Sequence, residues 1–238
     1  MPALLILIGA GVVALAHTAP FPFVLEAMTP GRSVWHGPRL AGQQTIYLTF
    51  DDGPNPTATP GLLDVLAREG ARATFFVIPR HITPETAPIL RRAAAERHGI
   101  GLHSHTRAPM FEAPDRLARR LGAEADRIAT LSGARPCPLY RPHAGWRSGR
   151  MYTGLKQAGI TLAGWSFGQW DWNWWRSPKP AALAARLARQ ASDGDIIVLH
   201  DGHHEDPRAD RQHTIDATAA LIPLLKARGF VLATLCDR

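Results

Sequence analysis

The stretch Thr45-Ile46-Tyr47-Leu48-Thr49-Phe50-Asp51-Asp52-Gly53-Pro54 decides the fold class. Thr45 to Phe50 is β-branched, aromatic and aliphatic, which predicts a buried strand, and Asp51-Asp52-Gly53-Pro54 predicts the turn that ends it. Leu62, Leu63, Val65 and Leu66 then recur at helical spacing within Gly61 to Glu69. This strand, loop and helix repeat along the chain. Strands are predicted at Ala73–Ile78, Ile100–Leu102, Pro138–Tyr140, Thr161–Trp165, Ile196–Leu199 and Phe230–Leu235. Helices are predicted at Glu85–Arg97, Pro114–Ser132, Arg150–Ala158, Lys179–Ala191 and Thr214–Ala227.

Such alternation requires parallel strands joined by crossover helices, in a barrel or a doubly wound open sheet. The polar clusters favour the barrel. Asp51-Asp52, His103, Arg141, Asp171 and His200 each fall near the C-terminal end of a different predicted strand, and a barrel gathers those ends at one mouth. No glycine-rich phosphate loop follows the first strand, which argues against a dinucleotide-binding fold.

At 238 residues, with 45% hydrophobic and 20% charged side chains, the chain suits one large α/β domain. The expected division is 1–43 as an N-terminal apolar segment with an extended linker, and 44–238 as the α/β domain. Ala3 to Ala16 is uninterrupted apolar sequence, and no charged residue precedes Glu26. Residues 3–25 therefore suggest membrane contact and an envelope location, as an anchor or an export signal, with a core helix as the other reading. The net charge of +7 favours anionic surroundings. Because the arginines are scattered along solvated helix faces such as Leu117 to Ile128, no nucleic-acid partner is expected. Only Cys137 and Cys236 are present, which excludes a cysteine-rich zinc site, and two free thiols are expected in preference to a disulfide.

Adjacent carboxylates such as Asp51 and Asp52 repel, so holding both past a buried strand calls for a cation or an arginine. His103-Ser104-His105 would bring imidazoles to the same rim, and carboxylate with neutral imidazole suits zinc while leaving an open position. Arg141, in Tyr140-Arg141-Pro142-His143-Ala144-Gly145, can pair with one aspartate and fix it as a base. Asp171 beside His200 would orient the imidazole and keep it protonated, giving an acid opposite that base. Trp170, Trp172, Trp174 and Trp175 offer a stacking wall for a sugar, or a cap on the barrel core.

The order Thr-Phe-Asp-Asp-Gly-Pro, His103-Ser104-His105, Arg141-Pro142, Asp171-Trp172 and Leu199-His200 resembles the NodB-type polysaccharide deacetylase family over about Thr45 to Leu235. The resemblance implies an incomplete (β/α)7-type barrel that hydrolyses acetyl or similar acyl amides on amino sugars of a polysaccharide or oligosaccharide. It implies Asp51 as base, Arg141 as its tether, His200 as acid supported by Asp171, and Asp52 and His103 as ligands to a divalent metal. That metal is zinc by first expectation, with cobalt and nickel as alternatives. Ala144, through its backbone N–H, together with Trp172 and Leu199 would meet the substrate.

One position departs from the family. Four residues beyond His103, where a second histidine ligand belongs, stands Arg107, and a guanidinium has no lone pair for a metal. His105 is the first expectation for the third ligand, with His203 and His204 as alternatives. Two other functions stay open on this basis: a carbohydrate-binding pseudoenzyme without metal, and a membrane-tethered deacylase or deformylase of a lipid-linked amino sugar.

Overall fold

The computed structural model describes residues 5–7, 9, 33–39, 41–168, 171 and 179–237. Its strands are β1 (Ser33–Val34), β2 (Thr45–Gly53), β3 (Thr74–Val77), β4 (Gly99–His103), β5 (Leu139–Arg141), β6 (Thr161–Ala163), β7 (Phe167–Gly168), β8 (Ile196–His200) and β9 (Val231–Leu232). They form a sheet ordered β1-β6-β5-β4-β3-β2-β8-β7, with β9 beside the start of β2. Every ladder is parallel. The crossovers are α1 (Thr59–Arg68), α2 (Ala87–Ala95), α3 (Pro114–Ser132), α4 (Gly149–Gln157), α5 (Pro180–Gln190) and α6 (Gln212–Ala227). This is the incomplete (β/α) barrel.

Local sequence explains the helix ends. A proline stands in the first turn of α1, α2, α3 and α5, where its missing N–H costs nothing, and Ser148 Oγ caps α4 by accepting from the Met151 N–H at 3.2 Å. In α3 the apolar stripe Leu117, Leu121, Ala125 and Ile128 is buried, as its spacing of about one turn requires.

Strand alternation divides the core into two layers. Leu48, Phe50, Phe75, Ile197 and Leu199 pack outward with the helices, whereas Tyr47, Phe76, Leu139, Ala163, Ile196 and Leu235 fill the lumen. Each fully buried side chain of this size contributes about 1.5–3 kcal/mol of transfer free energy.

Four expectations need correction. The first strand runs three residues beyond Phe50, so Asp51 and Asp52 belong to its last rungs and not to a turn. The segment read as a linker reaches the sheet before residue 44. Ser33 and Val34 pair with Leu162 and Ala163, Trp35 is buried, and His36 bridges Asp195 at the start of β8. These residues span the gap between β6 and β8 that an incomplete barrel leaves. The predicted strand Thr161–Trp165 ends at Ala163, where the Gly164 N–H turns to Val34 O at 2.8 Å. Finally, Cys137 and Cys236 are joined in a disulfide with Cα atoms 5.5 Å apart. The closing segment enters the lumen through Ala233 and Leu235 and so carries Cys236 to the start of β5.

Most of residues 3–25 lie outside the described residues; Leu5, Ile6 and Leu7 are helical and exposed. Among the described residues no helix is long and apolar enough to cross a membrane.

Candidate active site

β2 brings both carboxylates to the mouth by breaking its own alternation. Thr49 and Asp51 point into the lumen side, so Asp52 should point outward, but the register with β3 shifts between Asp51 and Gly53 and Asp52 adopts φ 73°. The irregularity returns its carboxylate to the His103 imidazole. Two glycines permit it: a Cβ on Gly202 would stand 2.2 Å from Asp52 O, and one on Gly53 would stand 2.3 Å from Asp201 Oδ2.

Asp51 and Arg141 form a buried ion pair, with Arg141 Nη1 donating to Asp51 Oδ1 at 2.6 Å and to Thr49 Oγ1 at 2.8 Å. Arg141 Nη2 donates to Gly164 O at 2.8 Å, and the guanidinium lies 4.0 Å from the Phe76 ring centroid. Burial lowers the Arg141 pKa, against the opposing pull of Asp51. With its donors so distributed, the guanidinium fixes the orientation of the carboxylate.

Asp52 Oδ1 lies 3.2 Å from His103 Nε2 in a geometry that makes no hydrogen bond, and among the described residues that oxygen has no other hydrogen-bond partner. Burial works to raise the Asp52 pKa, but His103, followed by His200 and His204, holds it well below the usual carboxylate range. His103 Nδ1 donates to Arg141 O at 2.8 Å, which leaves Nε2 directed at Asp52. Burial opposes charge on His103, yet Asp51 and Asp52 outweigh it and raise its pKa.

Across the mouth, Asp171 accepts twice from His200, from the backbone N–H at 2.7 Å and from Nδ1 at 3.0 Å. Burial disfavours the charged imidazole, but Asp171, with smaller contributions from Asp52 and Asp51, pushes its pKa up to about 9. The Asp171 backbone is itself anchored, since His213 Nε2 and Arg211 Nη1 donate to its carbonyl at 2.6 and 3.3 Å. Beside it, the Asp201 carboxyl is pushed up to about 7, by burial first, against a hydrogen bond from Thr59 Oγ1.

The structure thus gathers Asp51, Asp52, His103, Arg141, Asp171 and His200. Ala144 is exposed on the 3-10 turn His143–Gly145 with φ 48°. His105 is half-buried and does not complete the Asp52–His103 pair; among the described residues no three His, Cys, Asp or Glu side chains already converge on a metal position. Leu199 is a second correction. Its side chain is fully buried in the outer layer with the helices, so it packs the core and offers no surface to a substrate. Trp170, Trp172, Trp174 and Trp175 lie outside the described residues.

Sequence reasoning missed His81, Arg211 and His213. His81 is buried, its Nδ1 lies 3.1 Å from Asp52 O, and its Nε2 has no hydrogen-bond partner among the described residues. The only available signal was polar identity in loops between periodic segments, which does not say which residues fold inward.

The polysaccharide deacetylase family pattern matches residues 39–163. A chitooligosaccharide deacetylase of Sinorhizobium fredii is 34% identical over 205 residues, covering 82% of this chain and 91% of that protein. A peptidoglycan-N-acetylglucosamine deacetylase of Bacillus cereus is 30% identical over 212 residues, covering 89% and 95%. The solved structure of a family 4 acetyl xylan esterase from Clostridium thermocellum, in complex with a cobalt ion, is 30% identical with a TM-score of 0.70, covering 81% of this chain and 88% of that one. Barrel, site geometry and relatives agree: the chain belongs to the polysaccharide deacetylase family and is a hydrolase.

Proposed function

We propose that this protein removes acetyl groups from N-acetylated amino sugars of a polysaccharide or oligosaccharide, with a divalent metal held at Asp52 and His103. The observation that carries the reading is a pair of unlike proton carriers at one mouth: Asp51, fixed by Arg141, and His200, protonated through Asp171 up to about pH 9. Hydrolysis of an amide needs both. Asp51 takes a proton from water as the water oxygen bonds to the amide carbon, and His200 gives a proton to the nitrogen as the carbon–nitrogen bond breaks. The products are acetate and a free amine. An amine leaves poorly without that proton, so a strongly protonated His200 suits an amide more than an ester. The backbone N–H of Ala144 is the proposed donor to the developing oxyanion.

The residues fit a cation. Asp52 Oδ1 is buried without a hydrogen bond among the described residues, and His103 Nε2 faces it with its other nitrogen already committed to a carbonyl. A cation would take the place of the proton that His103 otherwise acquires. When bound, it supplies Lewis acidity toward the carbonyl oxygen and favours ionisation of water. Zinc is the first expectation, since carboxylate and imidazole donors suit it, with cobalt and nickel as alternatives.

The substrates named for the relatives supply the choices. Acetate release should be measured from chitooligosaccharide, peptidoglycan and acetylated xylan, before and after removal and restoration of zinc. Release from an N-acetylated polymer that stops on zinc removal and returns with zinc is expected. Release from xylan alone would make the protein an esterase, and undiminished turnover without metal would sink the metal requirement.

A further inference from the structure

The departure at position 107 places a guanidinium on the rim of the mouth. Arg107 is exposed, four residues past the end of β4, and its guanidinium carbon lies over the half-buried Trp146 ring, 4.5 Å from the centroid. Trp146 packs against the core, so the ring is a fixed support. A cation–π contact occupies the face of a guanidinium and leaves its N–H donors unspent. Among the described residues the N–H groups of Arg107 make no hydrogen bond and meet no carboxylate. His103 and Arg141 pair across β4 and β5, and the loops that follow are joined twice: the His143 N–H donates to Ser104 Oγ at 2.9 Å, and Ser148 Oγ donates to Met110 O at 2.6 Å. Arg107 and Ala144 are therefore carried by one joined pair of loops, beside the position proposed for the reacting amide.

Charge on this side of the mouth is left in surplus. The loops after β3 and β4, residues 78–86 and 104–113, carry one carboxylate each, Glu85 and Glu112. Glu85 accepts twice from Arg208 Nη2, at 2.5 and 2.7 Å, and Glu112 accepts from Arg120 Nε and Nη2 at 3.2 and 2.8 Å. Both acids are thus engaged by arginines from outside the two loops, Arg208 on the loop after β8 and Arg120 on α3. Arg80, on the loop after β3, donates to the His204 carbonyl and, like Arg107, has no carboxylate partner among the described residues. Two uncompensated guanidinium groups on adjacent loops attract an anion that the substrate itself must bring.

We propose that Arg107, with Arg80 on the adjacent loop, forms a subsite for a carboxylate carried by the sugar chain beside the residue being deacetylated, so that this protein acts on an acidic amino-sugar polymer in preference to a neutral one. The inference rests on the deacetylase reading given under the proposed function and names the class of its polymer. A carboxylate is planar and accepts two parallel N–H bonds, which is what the edge of a guanidinium offers. At an exposed rim the attraction is screened by salt, so it acts on capture of the chain and not on the chemical step.

The test uses the full chain supplied with zinc and oligosaccharides of matched length: neutral chitooligosaccharide, a hyaluronan fragment with its carboxylates on uronic acids, and a peptide-free peptidoglycan glycan strand with its carboxylates on lactyl ethers. Acetate release gives kcat and KM, and calorimetry gives affinity for the same chains. At least one acidic chain should be favoured over chitooligosaccharide by about tenfold or more in kcat/KM, through KM, with an advantage that shrinks as salt is raised. Which acidic chain gains tells a uronate from a lactyl carboxylate, and either gain supports the subsite. Arg107→Gln should erase the advantage together with its salt dependence, and Arg107→Lys, which keeps the charge without the paired donors, should restore part of it. Equal KM values for acidic and neutral chains, or an acidic advantage that survives Arg107→Gln, would overturn the subsite while leaving the deacetylase reading in place. If no chain releases acetate, the deacetylase reading fails, and the calorimetric preference for an acidic chain, with its loss or persistence in Arg107→Gln, still decides the subsite.

Discussion

Arg141 Nη1 lies 2.6 Å from Asp51 Oδ1 in a place where the arginine side chain is wholly buried and the aspartate nearly so. Removing one partner of such a pair strands the other in a low dielectric. Arg141→Met should therefore cost about 3–5 kcal/mol of stability, read by urea unfolding, and abolish acetate release. Arg141→Lys keeps the charge but cannot reach Thr49, Asp51 and Gly164 together, so it should recover some stability and little activity. Stability within about 1 kcal/mol of the parent in Arg141→Met would mean that the pair is not a structural support.

Asp51→Asn preserves shape but removes the proton acceptor. Its kcat should fall by about 10²- to 10⁴-fold, while Co2+ binding at Asp52 and His103 persists. Some stability should be lost too, because Arg141 stays buried without its counter-charge. Turnover within about tenfold of the parent would remove Asp51 from the role of base.

His200 governs the alkaline side. Its pKa is raised from 6.5 to about 9 on folding, so the stability it contributes is complete below about pH 6.5 and is lost as pH rises through about 9. Activity that depends on the protonated imidazole should fall over the same upper range. Asp171→Asn removes the main raising charge, so the alkaline limb of kcat/KM should shift to lower pH. A bound cation near Asp52 would shift the parent's limb in the same direction. An alkaline limb unmoved by Asp171→Asn would show that His200 is not the group being titrated.

Gly202→Ala places a Cβ 2.2 Å from the Asp52 carbonyl oxygen, and that oxygen belongs to the irregular end of β2. Because backbone must give way, about 1–3 kcal/mol of stability should be lost, accompanied by weaker Co2+ binding. Gly122→Ala is the contrast: it lies within α3, nothing stands near its added Cβ, and it should be neutral or stabilising by up to about 1 kcal/mol. Equal melting temperatures for the two variants would show that the contact between Gly202 and Asp52 does not constrain the site.

Most of the barrel was readable because its strands are apolar runs closed by polar residues, and because one parallel topology sends every strand end to the same mouth. That argument reached Asp51, Asp52, His103, Arg141, Asp171 and His200. Other features depend on tertiary context. β1 is a strand only because the gap beside β6 accepts two residues, and Ser33-Val34 carries no periodicity to announce it. Asp52 faces inward only through a register shift that Asp-Asp-Gly also permits as a plain turn. Pairing of Cys137 with Cys236 depends on where the last segment docks, 99 residues further along the chain. Leu199 was the avoidable error, since strict alternation from His200 sends it outward.

The seam formed by residues 33–37 ties the beginning of the described barrel to its chemistry through very few atoms. Val34 O accepts the Gly164 N–H at 2.8 Å, Gly164 O accepts Arg141 Nη2 at 2.8 Å, and Arg141 holds Asp51. A pull on the chain upstream of Ser33 is therefore delivered within three hydrogen bonds to the proposed proton acceptor. A shortened chain that begins after Trp35 would lose the alignment of Asp51 along with its seam, so any truncation from the N-terminal side has to stop before Ser33 to keep the site intact.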